Sequence, residues 1–331
     1  MLRKPNILVV GSFMMDLIAS THRVPNSGET VVGIKFQTAP GGKGANQAVQ
    51  CARLGAKVTM VGRVGDDSFG KIMKETAQAS GVDISHVSVD PKEASGVGHI
   101  LLEITEHGSQ NRITVCPGAN YALNVEDLLW IRSEISRYDM VMMQLELPMD
   151  VIESVADWSC GAGVPVMLNP APAAPLSEHL LSCITYLSPN EHEASLLAGR
   201  RLRTEPELNR NDVQDICQVL LGKGIKNVII TLGKHGAVAA DRENILYTDC
   251  IRMPEVRDPT AAGDSFVAAF CTGICAGLSS KEALTFASYT AAITVSRMGA
   301  MPSLPTVSEV QALMQERSCS VLNPNKLNDL K

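Results

Sequence analysis

Short runs of branched apolar residues recur along the chain, separated by stretches in which apolar positions repeat every three or four residues. The runs 7–10 (ILVV), 58–64 (VTMVGRV), 139–145 (DMVMMQL), 164–168, 184–187 and 227–232 predict strands. They are apolar throughout instead of alternating, which suits a parallel sheet covered on both faces. Between them, helical periodicity predicts helices over 44–54, 68–80, 125–135, 149–160, 191–198 and 212–223, then a long tract over 261–276 and another over 280–295. This alternation predicts an α/β fold with a mostly parallel central sheet.

Two segments break the rhythm. Residues 17–38 and 95–115 read as short alternating strands with glycine-rich turns, among them 29–32 ahead of Gly33, and 98–103 ahead of a turn at 107–109. Together they predict a small antiparallel sheet outside the main one, a lid and not a second domain, with its strands within about 14–40 and 95–118. The periodic region runs over 1–315 as one domain, and 316–331, lacking periodicity, is expected to be a loose tail. There is no internal repeat.

Composition narrows the function. The chain has 331 residues, 45% of them apolar and 19% charged, which excludes wholesale disorder. Lys+Arg 29 against Asp+Glu 35 leaves a net charge of −6, a poor footing for nucleic-acid binding. No run is long enough to span a membrane, so a cytoplasmic protein is expected. The nine cysteines are scattered, with no C-x-x-C, and no H-x-x-x-H pair accompanies them. Neither a disulfide framework nor a structural zinc site is expected. Cys271 and Cys275, four apart on a helix, read as small packing residues.

Four short motifs can carry chemistry. Gly41-Gly42-Lys43-Gly44-Ala45-Asn46-Gln47 opens a helix, where glycines let backbone approach a ligand, although no Walker P-loop exists. Asp258-Pro259-Thr260-Ala261-Ala262-Gly263-Asp264 leads small residues into a helix with a carboxylate in its first turn, as an anion hole beside a base requires. Asn190 and Glu193 share one side of a helix start, either as a capping box or as an oxygen donor set for hydrated Mg²⁺. Thr231-Leu232-Gly233-Lys234-His235-Gly236 ends a strand, where open parallel sheets bind nucleotides.

Taken in order, these motifs resemble the ribokinase family of ATP-dependent sugar kinases, the PfkB-type carbohydrate kinases. GGKGANQA at 41–48, QLE at 144–146, NPAPA at 169–173, PNEHE at 189–193, TLGKHG at 231–236 and AAGDSF at 261–266 carry the resemblance, which spans residue 7 to about 305. It implies a three-layer α/β/α core with a β-sheet lid that often serves as a homodimer clasp. It implies Asp264 as catalytic base and the amides of Ala261, Ala262 and Gly263 as the anion hole for the transferring phosphoryl group. Met14, Asp16, Gly42, Lys43, Asn46 and Glu146 match sugar-binding positions. Thr231, Gly233, Gly236 and Ser288 match nucleotide positions, and Asn190 and Glu193 the phosphate–Mg²⁺ site. Asp258, Thr260, Thr294, Arg297, Gly299 and Ser303 match the ligand positions of an activating monovalent cation, usually K⁺.

The substrates implied are ATP and a small sugar: D-ribose phosphorylated at its 5-hydroxyl, with 2-deoxy-D-ribose as the alternative. A catalytically inactive relative is disfavoured, because Asp264, Gly263 and Lys43 are all present. Three positions depart from the family pattern. Pro259 replaces a usual Thr, Ser288 replaces a His or Asn beside adenine, and Met14 stands where bacterial relatives carry Asn.

Overall fold

The computed structural model describes residues 1–105 and 108–331. The chain enters the core with β1 (Asn6–Val10), leaves it for β2 (Met14–Thr21) and β3 (Lys35–Gly41), and returns through α1 (Lys43–Arg53), β4 (Lys57–Gly65), α2 (Ser68–Ala79) and β5 (Val82–Asp90). A second excursion, β6 (Gly96–Thr105) and β7 (Gly108–Cys116), precedes α3 (Ile131–Glu134), β8 (Met140–Gln144), α4 (Met149–Gly161), β9 (Val166–Asn169), α5 (Glu178–Cys183), β10 (Tyr186–Leu187) and α6 (Glu191–Ala198). Then come α7 (Arg210–Gly222), β11 (Asn227–Thr231), β12 (Ala237–Ala240), β13 (Ile245–Thr248), α8 (Ala262–Ala276), α9 (Ser280–Val295) and α10 (Val307–Glu316).

Nine strands form the main sheet in the order β13-β12-β11-β10-β9-β8-β1-β4-β5. All pairs from β5 to β11 are parallel; β12 runs antiparallel to both its neighbours. Alternate residues of β1 point to opposite faces, as a strand requires. Ile7 and Val9 join the core made with α1, α8, α9 and α10, whereas Leu8 and Val10 join the one made with α4, α5 and α7. Both faces are thus covered, which accounts for the uninterrupted apolar runs and gives three layers. The second sheet has the order β3-β2-β6-β7, with antiparallel outer pairs and a parallel β2–β6 pair at its centre.

Several expectations change. Residues 29–32 form no strand; Val32 is 93% exposed, so nothing there is buried to hold one. The helix expected at 125–135 is broken into short 3₁₀ turns around the four-residue α3. The turn expected at 107–109 begins outside the described residues. Strands β5, β12 and β13 and helices α5 and α10 were not foreseen.

The tail is the largest correction. Leu322, Leu327 and Leu330 are fully buried, and Pro324–Leu330 forms a 3₁₀ segment against α10. Polar clamps hold it: Gln311 Nε2 donates to the Pro324 carbonyl at 2.9 Å, Lys326 pairs with Glu282 at 2.7 Å, and Leu2 N–H donates to Asp329 at 2.8 Å. The segment 322–330 therefore adds its three leucines to the core and is no loose tail.

Candidate active site

The chain proceeds from β1 to β4 on one side and later from β8 to β9 on the other, so strand order reverses at the β1/β8 boundary. Open α/β sheets leave a crevice at such a point, beyond the carboxyl ends of the strands. Here β1 runs into Gly11 and Ser12, β8 into Leu145 and Glu146, and α1 starts directly above them. A Cβ on Gly44 would stand 2.5 Å from the Ser12 nitrogen, and one on Gly42, with φ 95°, 2.6 Å from the Met14 nitrogen. Glycine at these positions is what brings the helix N-terminus down onto the strand ends. Ala45 N–H then donates to the Ser12 carbonyl at 3.0 Å, and Lys43 N–H to Glu146 Oε2 at 3.0 Å; the Ser12 hydroxyl donates to the same carboxylate.

Between this floor and the small sheet lies a cleft of about 910 Å³. Met14, Asp16, Gly42, Lys43, Asn46, Glu146, Asp258, Thr260, Ala261 and Asp264 all line it. Charges crowd inside. Asp16 is pushed up to about 7, first by burial and then by Glu146, Asp258 and Asp264, against the pull of Lys43. Burial also raises Glu146, opposed by Lys43 and Ser12. For Lys43 burial works against the charge, but Asp264, Glu146, Glu193 and Asp16 outweigh it and hold the ammonium above its ordinary value. The cleft floor is thus one fixed cation among carboxylates, with the Asn46 Oδ1 buried and without a hydrogen-bond partner. That set fits a polyhydroxylated ligand, which can donate to the carboxylates and to Asn46 and accept from Lys43.

Asp264 sits in the first turn of α8, only 8% exposed. Asn46 Nδ2 donates to one of its oxygens at 2.9 Å and Gln47 Nε2 to the other at 3.0 Å. Gln47 is itself fixed. Its Nε2 also reaches Asn169 Oδ1 at 3.2 Å, and its Oε1 accepts from Gln144 Nε2 at 2.6 Å. Gln47, Gln144 and Asn169 were quoted only as parts of motifs; their joint role in holding Asp264 was missed. Asn120 was missed outright. It is fully buried, accepts from Phe13 N–H at 2.9 Å, donates to the Phe13 carbonyl at 2.8 Å, and lies 3.8 Å from the Met14 sulfur. It sets the backbone that carries Met14 into the cleft.

The helix start beside Asp264 differs in one respect from expectation. Ala261 caps α8 in the left-handed region, with φ 61°, a conformation that costs a side-chain-bearing residue roughly 1–2 kcal/mol. The Ala262 N–H donates to the Pro259 carbonyl at 3.2 Å and is not free for an anion. The Gly263 and Asp264 amides belong to the first turn of α8, where N–H groups lack intrahelical acceptors and the helix dipole favours negative charge. A Cβ on Gly263 would meet nothing within 4 Å, so its approach is open.

The positions expected on the nucleotide side do not line this cleft. Asn190 bridges Thr231 at the ends of β10 and β11, and α9, which carries the buried Ser288, packs on β12 and β13. Gly233 (φ 49°) and Gly236 (φ 86°) shape the turn after β11; a Cβ on Gly236 would overlap the Thr248 carbonyl at 1.9 Å. Asn190 and Glu193 form the capping box: Asn190 N–H donates to Glu193 Oε2 at 2.9 Å, and Glu193 N–H to Asn190 Oδ1 at 2.9 Å. Glu193 also belongs electrostatically to the cleft. Burial raises its pKa, and Lys43 opposes the rise.

The cation-loop positions are partly gathered. Asp258 accepts from Thr260 N–H and from Gly299 N–H, each at 2.9 Å, and so ties the loop before α8 to the turn after α9. The Arg297 guanidinium pairs with Glu309 at 2.5 Å and the Ser303 hydroxyl donates to the Ala300 carbonyl at 2.7 Å. The Thr294 hydroxyl is spent on the Thr290 carbonyl at 3.1 Å. These three side chains therefore point their polar atoms into the protein's own bonds, leaving carbonyls and Asp258 as the donors, an all-oxygen set that suits a hard cation.

Residues 4–307 match the family model described as pfkB family carbohydrate kinase. A ribokinase of Schizosaccharomyces pombe is 40% identical over 314 residues, 92% of this chain and 96% of the relative. A ribokinase of Bacillus subtilis is 38% identical over 310 residues, 93% and 99% respectively. Among solved structures, that of Arabidopsis thaliana ribokinase complexed with ribose and ATP superposes with a TM-score of 0.84 at 33% identity, covering 94% of this chain and 99% of that one. With the cleft, the carboxylate at a helix start and the strand-order reversal in the places such a kinase needs them, the chain belongs to the pfkB family of carbohydrate kinases.

Proposed function

We propose that the protein transfers the γ-phosphoryl group of ATP to the 5-hydroxyl of D-ribose. The observation that carries this reading is Asp264, held by Asn46 and Gln47 at the N-terminus of α8 and facing a cleft lined by Asp16, Lys43 and Glu146. Asp264 takes the hydroxyl proton as the oxygen attacks phosphorus. Two amide donors fix its carboxylate, so its lone pair is aimed before the sugar arrives. The Gly263 and Asp264 amides receive the charge that builds on the phosphoryl oxygens. Asp16, Asn46, Glu146 and Lys43 hold the ring hydroxyls, and the small sheet covers the cleft and excludes water.

Asn190 and Glu193 are the residues that would hold Mg²⁺, through its water shell, since both already serve the capping box. Bound there, Mg²⁺ supplies positive charge to the nucleotide phosphates. Asp258 and the carbonyls of the 294–303 turn would hold K⁺, which orders the loop that feeds α8. The cleft-side row Ile18, Ile100 and Ile113 and the exposed Phe36 and Val115 make the small sheet unusually apolar, which supports a homodimer formed through it.

The test is ADP release with D-ribose, 2-deoxy-D-ribose, adenosine and fructose 6-phosphate compared at equal concentration. Ribose is expected to give the highest kcat/KM, and a higher value for adenosine or fructose 6-phosphate would overturn the reading. Met14 favours a second, weaker substrate. A thioether neither donates to nor strongly accepts from a 2-hydroxyl, so 2-deoxy-D-ribose loses only about 1–3 kcal/mol against ribose. Met14→Asn is expected to shift the ratio toward ribose; an unmoved ratio contradicts this role.

A further inference from the structure

Helices α4 and α5 pack against each other on one face of the main sheet, and none of the residues considered next lines the active-site cleft. Asp157 and Cys160 stand three apart on α4, and His179 and Cys183 four apart on α5, so each pair shares one side of its helix. His179 Nε2 lies 3.1 Å from Asp157 Oδ1. A carboxylate oxygen of Asp157, a ring nitrogen of His179 and the Cys183 sulfur all fall within 4.8 Å of one another. Cys160, on the facing helix, is near enough that its thiol adds to the rise that burial gives the Cys183 thiol, although it stands outside that group of three. Chain spacing hid this group, because Cys160 and His179 are 19 positions apart in sequence and the fold alone brings their helices together.

Two sulfurs, an imidazole and a carboxylate are the ligand types of borderline-soft divalent metals and not of Mg²⁺ or K⁺. In a tetrahedral zinc site with bonds of about 2.0–2.3 Å, donor atoms stand roughly 3.3–3.8 Å apart. Closing the group to that size takes side-chain rotations of three exposed residues: Cys160 swings in from outside the group, and Asp157 and His179 exchange their mutual bond for the metal. Cys183 is buried at the helix contact and supplies the fixed corner.

We propose that Asp157, Cys160, His179 and Cys183 form a binding site for a zinc-class divalent cation that clasps α5 to α4, apart from the kinase site. Binding replaces two S–H bonds by metal–sulfur bonds and releases the two protons to solvent, with no change of oxidation state. The clasp joins α4 to the segment that runs from α5 through β10 to Asn190, so it stabilises one wall of the nucleotide side.

The test is a Co²⁺ titration of the full-length protein, reduced with a phosphine and kept free of oxygen. One equivalent of cobalt is expected to give an intense ultraviolet thiolate-to-metal band and tetrahedral visible bands, both erased by Zn²⁺. Cys160→Ser and His179→Ala, at surface positions, are expected to weaken binding about tenfold or more while leaving kinase turnover intact, which reports that the fold is kept. Cys183→Ser is expected to lose the band, and Cys250→Ser to retain it. Absence of a thiolate band in wild type, or a band that survives both Cys160→Ser and His179→Ala, would overturn the proposal.

Discussion

Asp16 is wedged among Glu146, Asp258 and Asp264, and it keeps its proton up to about 7. An unfolded aspartate loses that proton near pH 4 (about 3.9). Between those values the folded state holds a proton that the unfolded chain has released. The stability this gives is complete below the unfolded value and is lost as pH rises through about 7. Asp16→Asn cannot ionise. Its melting temperature without sugar is therefore expected to match wild type near pH 4 and to exceed it increasingly toward about pH 8, while its KM for sugar rises at every pH where wild-type Asp16 is charged. Parallel melting curves against pH would contradict the account. In the proposed reading Asp16 would hold the sugar with a charge that the cleft alone is ill suited to keep, and Met14 would contribute shape instead of hydrogen bonds.

Among the elements, α1 does the most for the site. Its N-terminus delivers Lys43, Asn46 and Gln47 to the cleft, and at its other end Gln50 donates to the Pro305 carbonyl at 2.9 Å and Arg53 to the Met301 and Leu304 carbonyls at 2.9 and 2.7 Å. One helix thereby links the cleft floor to the turn after α9. Its start was legible in the GGKGANQ string, as were the parallel strands, because uninterrupted branched runs have few other uses. The edge strands were not legible: β12 reads AVAA, too small and too short to signal a strand. The Gln47–Gln144–Asn169 network was not legible either, since its hydrogen bonds join residues 97 and 122 apart. The tail failed for a related reason. Leu327 and Leu330, three apart in one short 3₁₀ segment, are too few to signal a helix, and Leu322 lies five positions before Leu327, so only their burial reveals them. Leu327→Ala is expected to cost about 2–5 kcal/mol in denaturant unfolding. A loss below about 0.5 kcal/mol, the usual range for surface positions, would restore the view of a loose tail.

At the scale of the whole molecule, the site is a junction of segments far apart in sequence: strand ends from the middle of the sheet, the small sheet from two excursions, and the α8 start held by Asp258 to the turn after α9. No helix among the described residues is long and apolar enough to cross a membrane. Gly41 at the base of the small sheet lies beside both Asp16 and Ala300, so the turn after α9 and the cleft floor are in contact. Activity is accordingly expected to rise with K⁺ through kcat more than through KM for sugar, because the loop positions the anion hole; equal rates in K⁺ and in buffer free of monovalent metal ions would contradict this, with Pro259 as the responsible departure. The central claim is narrower still, that Asp264 is the base. Asp264→Asn preserves its shape and one of the two amide contacts, that from Asn46 or that from Gln47, while removing the proton acceptor. The direct measurement is steady-state ADP release with ribose for this variant beside wild type. The account predicts a fall in kcat on the order of 100-fold or more with KM for ribose changing far less; a kcat within about threefold of wild type would contradict it.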